Sequence, residues 1–146
     1  MSLPSHCTPS FSLRAILVLL LGAVVSGGAA LAETYAIPSD QLDRKQIYFG
    51  APSSFENPAE VDYERVVRAT PEYLEIQSQN IERGTGRYWI LLSRASDRVG
   101  RLVVSVGNDQ DYDLIASSGY LGSLEPEIPA EDITDKVLAA LQTSVK

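Results

Sequence analysis

Four arginines, Arg87, Arg94, Arg98 and Arg101, recur at near-heptad spacing in the middle of this chain, with the aromatic pair Tyr88-Trp89 at the start of the row. Guanidinium groups grip carboxylates and phosphates through paired N–H donors. On one side of a helix such a row could therefore hold acidic protein segments or lipid phosphates. A solvated helix face reads the same way in sequence. Trp89 and Tyr88 are expected first as a buried base for helical arms and second as contacts to a bound partner.

Other groupings offer less chemistry. Asp109-Gln110-Asp111-Tyr112-Asp113 begins like a calcium loop, but Leu114 stands where the sharp turn needs glycine and Tyr120 where the closing glutamate belongs. Gly84-Thr85-Gly86 is too short to cradle a phosphate. Glu125, Glu127, Glu131 and Asp132 could pair as acid and base in a glycosidase, yet nothing in the pattern places them around a pocket, and an acidic linker accounts for them. The one histidine and the one cysteine, His6 and Cys7, lie near the N-terminus.

That N-terminus carries an address. Arg14 precedes an unbroken apolar run from Ala15 to Val25, and small residues lead to Ala30-Leu31-Ala32, the small-x-small pattern a signal peptidase reads. The run is shorter than the ~20 residues that span a bilayer. The expectation is a signal peptide over 1–32, cleavage after Ala32, and a periplasmic or otherwise exported chain beginning at Glu33. Cleavage would remove His6 and Cys7, leaving no imidazole base, thiolate, disulfide or Cys/His zinc site. It would also leave 11 basic residues against 19 acids, a net charge of −8. Such acidity disfavours nucleic acid as a partner. No cofactor, no metal and no enzymatic activity are expected.

The elements that must position the arginine row come next. Residues 33–60, broken by Pro38, Pro52 and Pro58, read as a flexible leader, with Gln46-Ile47-Tyr48-Phe49 as a brief strand at most. From residue 61 the chain is organised. Asp62 caps a short helix, and Thr70-Pro71-Glu72 is a second start signal. Val67, Leu74 and Ile81 then recur by sevens until Arg83-Gly84 stops the arm. In the returning arm Tyr88, Leu92, Ala95, Val99, Leu102 and Val106 follow a 4-3-4-3-4 spacing, the seam of a packed helical hairpin. Two strands around Ser96–Gly100 are a rival on pattern alone, because Gly100 costs about 1 kcal/mol inside a helix. A β-hairpin is expected over about 112–122, turning at Ser118-Gly119. A last helix over about 133–143 carries Ile133, Val137, Ala140 and Leu141 on one face. The fold class is α+β: an antiparallel helical hairpin (arms about 63–107) on a small β-sheet body, closed by a C-terminal helix.

The run Val61-Asp62-Tyr63-Glu64-Arg65-Val66-Val67 with Thr70-Pro71-Glu72-Tyr73, and the closing Tyr112-Asp113-Leu114-Ile115 and Asp132-Ile133-Thr134-Asp135-Lys136-Val137-Leu138, resemble the entry and C-terminal end of the Skp/OmpH family of periplasmic chaperones. The resemblance covers 61–146 and moves the helical reading, slightly ahead on pattern alone, well in front of the strand rival. It implies a homotrimer in which strands of three chains form a β body and paired helices project as arms. Such arms hold unfolded outer-membrane proteins without nucleotide, and Arg87, Arg94, Arg98, Arg101 and Trp89 are then the client-contact candidates. The chain departs from the family in two ways. Its longer arm is about 20 residues, roughly 30 Å, and it is acidic where the family is basic. Between Tyr63 and Gly107, however, seven arginines meet five acids. The alternative is an envelope interaction module that keeps the oligomeric body without chaperoning.

Overall fold

The computed structural model describes residues 33–144. The expected signal peptide and its cleavage after Ala32 lie outside the described residues. A parallel pair of strands needs a long crossover between them, and here that crossover contains most of the helix. Strand β1 (Ile47–Gly50) and β2 (Pro58–Val61) are followed by α1 (Tyr63–Arg68), α2 (Pro71–Ser78) and α3 (Gly86–Asp109); then come β3 (Leu114–Ser117), β4 (Glu131–Asp132) and α4 (Thr134–Ser144). The sheet order is β1-β3-β2-β4, with β3 antiparallel to β1 and parallel to β2, and β4 parallel to β2. The protein is an α+β fold.

Each helix starts and stops for a local reason. Asp62, Thr70 and Thr85 accept backbone N–H groups from Arg65, Tyr73 and Tyr88, and so cap α1, α2 and α3. Pro71 sits at the first position of α2, where its missing N–H costs nothing. Helix α2 ends at Ser78, earlier than the expected stop at Gly84. Asn80 takes a left-handed φ of 48°, Asn80 N–H donates to Gln77 O, and Ile81 N–H donates to Ile76 O. That paired closure satisfies the last carbonyls of the helix. The seven-residue repeat fails with it: Leu74 is exposed, and Ile76 is the residue buried from α2.

Both faces of the sheet are covered from within the chain. On one face Val66 and Val67 of α1, Ala95, Val99, Val103 and Val106 of α3, and Val137 and Leu141 of α4 close over Ala59, Val61 and Ile115. On the other, Leu114 and Ala116 meet Ile37, Phe55, Leu121, Leu124 and Ile128, all from irregular segments. Residues 33–60 are thus no leader apart from the fold. They supply β1 and β2, and Phe55 is 2% exposed. Proline and glycine break helical periodicity there, but they do not prevent short strands from pairing with a distant one.

The expected hairpin over 112–122 does not form. Its first half is β3, which lies between β1 and β2, with residues buried on both sides. Its second half is a 3-10 turn (Leu121–Ser123), where Glu60 accepts N–H groups from Gly119 (2.8 Å) and Leu121 (2.7 Å). A strand fully buried on both faces finds partners by hydrophobic fit rather than by proximity in sequence. The C-terminal helix begins at Thr134, whose hydroxyl donates to Asp132 and accepts from the Asp62 N–H.

Candidate functional site

Helix α3 is the element on which every expected contact residue lies. It is 24 residues long, about 36 Å at 1.5 Å per residue, and its amphipathic pattern orients it. Ala95, Val99 and Val106 of the expected seam are buried, with Leu92 and Leu102 half-buried beside them. Leu91 and Val103 join the buried side although they fall outside the seam. The contact is broader than a coiled-coil stripe because one helix meets α2, α4 and the sheet together. Trp89 and Val103 are both helical, which removes the two-strand rival.

The arginine row forms as a geometric feature and then divides. Arg98 reaches across to α2, where its Nε donates to Glu72 at 3.0 and 3.1 Å and its Nη2 at 2.5 Å. The Glu72 side chain is only 15% exposed. The Arg98 hydrogen bonds hold its carboxyl below the usual value, against the opposing effect of burial. Arg87 donates to Glu75 (2.8 Å) and Gln79 (2.6 Å), also on or beside α2. These two arginines clasp the helical pair. Arg94 and Arg101 are exposed, and neither is in an ion pair among the described residues.

Trp89 is not the buried base that was expected. It is 56% exposed and stands edge-on to Tyr88 at 5.3 Å. Ile90 (54%) and Val104 (41%) are exposed on the same helix, so α3 carries three of the four exposed large apolar residues among the described residues, the fourth being Leu74 on α2. Sequence reasoning missed Ile90, Asp97 and Val104. Their signal was a second seven-residue spacing, opposite the seam, masked by the stronger apolar pattern of the buried side.

Beside this face runs an open groove of about 530 Å³, lined by Tyr63, Ser96, Asp97, Gly100, Arg101 and Val104. Tyr63 forms its wall, with the hydroxyl donating to Ser96 O at 2.6 Å. Gly100 forms part of its floor. A Cβ there would meet only the Tyr63 hydroxyl, at 3.8 Å, so the glycine is not demanded by packing. A second apolar depression, of about 320 Å³, lies where Ala69, Pro71 and Leu74 approach Leu138, Leu141 and Gln142.

Several acidic groups elsewhere are structurally committed. Asp113 accepts the N–H groups of Glu56 and Asn57, and Asp111 closes α3 in a left-handed conformation. Glu131 accepts from the Tyr112 hydroxyl (2.6 Å) and pairs with Lys136 (2.8 Å), which ties β4 to α4. Among the described residues no three His, Cys, Asp or Glu side chains converge to hold a metal ion, and no helix is long and apolar enough to cross a membrane. No family model matches the chain, and no match was found among curated proteins or solved structures.

Proposed function

We propose that this chain is an exported, non-enzymatic binding module whose contact surface is the solvent-facing side of α3. One observation carries the reading: Ile90 and Val104 are exposed within about 80° of Arg94 and Arg101 around α3, with exposed Trp89 flanking them, and the two arginines are cations without an acidic partner among the described residues. Apolar and aromatic side chains beside arginine are the composition favoured at the centres of protein interfaces. In its narrower form, implied by the resemblance to the Skp/OmpH family, the module is a holdase that binds unfolded segments of outer-membrane proteins without nucleotide. The geometry favours contact along one face over enclosure. The C-terminal half of α3 rests on the sheet, with Gly107 against Phe49 and Ile115, so only its first turns project with α2.

Trimer formation, which the same resemblance implies, has less reason on energetic grounds than an isolated two-strand sheet would have. Four strands with both faces covered bury their own apolar side chains. This self-sufficiency bears equally on the holdase and on the envelope-module alternative, since both keep an oligomeric body.

The test is aggregation of a denatured outer-membrane barrel with the protein at a stoichiometric ratio. A holdase delays aggregation, and Trp89→Ala with Arg94→Gln and Arg101→Gln weakens it and flattens its dependence on salt. No delay at a several-fold excess of protein removes the holdase and leaves the module. N-terminal sequencing of the protein recovered after expression tests export, with Glu33 the expected first residue.

A further inference from the structure

From the same face of α3, and resting on the reading above, we infer that its partner is a second copy of this chain, docked as an antiparallel α3–α3 pair about a two-fold axis near Gly100. Successive helix residues turn by about 100°, so Ile90, Asp97, Arg101 and Val104 fall within about 60° of one another. Asp97 and Arg101 are four residues apart and both exposed, yet they make no ion pair with each other among the described residues. A two-fold axis presents the same patch to itself, so the patch must be self-complementary. Antiparallel pairing meets that condition: it sets Asp97 of one copy against Arg101 of the other, twice. Parallel pairing would place Asp97 against Asp97 and Arg101 against Arg101, which repel.

The remaining residues fit the same register. Centred near residue 99, the pairing brings Gly100 of each copy close to the crossing point, where the groove beside Tyr63 admits the partner helix. Val104 then lies beside Arg94 of the partner, and Ile90 beside its Asn108. Val104 and Ile90, both exposed on the single chain, are covered along the seam. The glycine in mid-helix, which packing within one chain does not require, is explained by the close approach. A charged pair at the centre fixes register and partner more than it adds affinity, so the dimer is reversible and weakened by salt.

The experiment is sedimentation or light scattering of the full chain purified after expression with its own N-terminal segment, over a range of concentrations. The expected mass at high concentration is that of two chains. Asp97→Arg and Arg101→Asp alone each weaken association at least tenfold with unchanged circular dichroism, and the double variant restores it. Gly100→Cys forms a disulfide-linked dimer, whereas Ser123→Cys, on the far side of the sheet, does not. A single-chain mass at every concentration overturns the inference, as does a trimer or a pair of charge variants that associate like the parent. A single chain that still delays barrel aggregation overturns the dimer alone. A single chain that does neither overturns both the dimer and the holdase reading.

Discussion

Gly107 and Gly100 stand about two turns apart on the same side of α3, one where that side meets β1 and β3 and the other where it borders the open groove beside Tyr63. A Cβ at Gly107 would lie 3.0 Å from the Phe49 ring and 3.1 Å from Ile115, whereas one at Gly100 would have a single neighbour, at 3.8 Å. The first glycine is required by the fold. The second weakens a helix without helping the chain's own packing. A second contrast separates the two sides of the helix. Toward the core Leu91, Ala95, Val99, Val103 and Val106 are enclosed; away from it Ile90, Val104 and Trp89 are left uncovered. Stability has shaped one side of this helix, and its other side is best explained by a surface that meets something else.

The largest expected effect lies under the sheet-facing side. Ile115→Ala removes a fully buried side chain at the junction of β3 and α3 and should cost about 2–5 kcal/mol in urea unfolding. Gly107→Val should cost about 1–3 kcal/mol through overpacking against Phe49 and Ile115; an unchanged denaturation midpoint would mean that α3 stands away from the sheet. The clasp to α2 sits between the two regimes. Because Arg98 lowers the pKa of Glu72 in the folded state, the stability it lends is present above the ordinary value of 4.5 and is lost as pH falls through the lowered folded value. Arg98→Gln should therefore reduce Tm at pH 7 and flatten the loss of stability on acidification below about pH 4.5. Parallel acid-denaturation curves for parent and variant would assign no such role to the pair. The smallest effect has the opposite sign. Gly100→Ala, melted at low protein concentration, should stabilise the chain by about 0.5–1 kcal/mol; a loss of stability would show that Gly100 belongs to the core after all.

Local signals carried well from sequence to structure. Asp62 and Thr70 cap the helices that their side chains announce, and Pro71 opens α2. Ala95, Val99 and Val106 point inward as their spacing requires. Signals that depend on a distant partner did not carry. Nothing near Pro58-Ala59-Glu60-Val61 indicates that it will lie between β3 and β4. The turn at Ser118-Gly119 suggests a hairpin, and only the Glu60 carboxylate, from another strand, shows why the chain coils there instead. The arginine row divides for the same reason. Glu72 and Glu75 lie on another helix, and their distance from Arg98 and Arg87 is set by how α2 packs, not by spacing along α3.

Composition and periodicity thus indicated by themselves an α+β chain, where most of its helices begin and, once residues 86–109 are helical, which side of α3 is buried. Those properties follow from capping groups and from side-chain direction along a single helix, both fixed within a few residues. Tertiary structure alone decided that residues 33–60 supply most of two of the four strands, that β3 and β2 are the inner ones, and which arginines lack an ion-pair partner among the described residues. Each of these depends on contacts between segments tens of residues apart, where pairing is chosen by the burial that the whole chain can reach together.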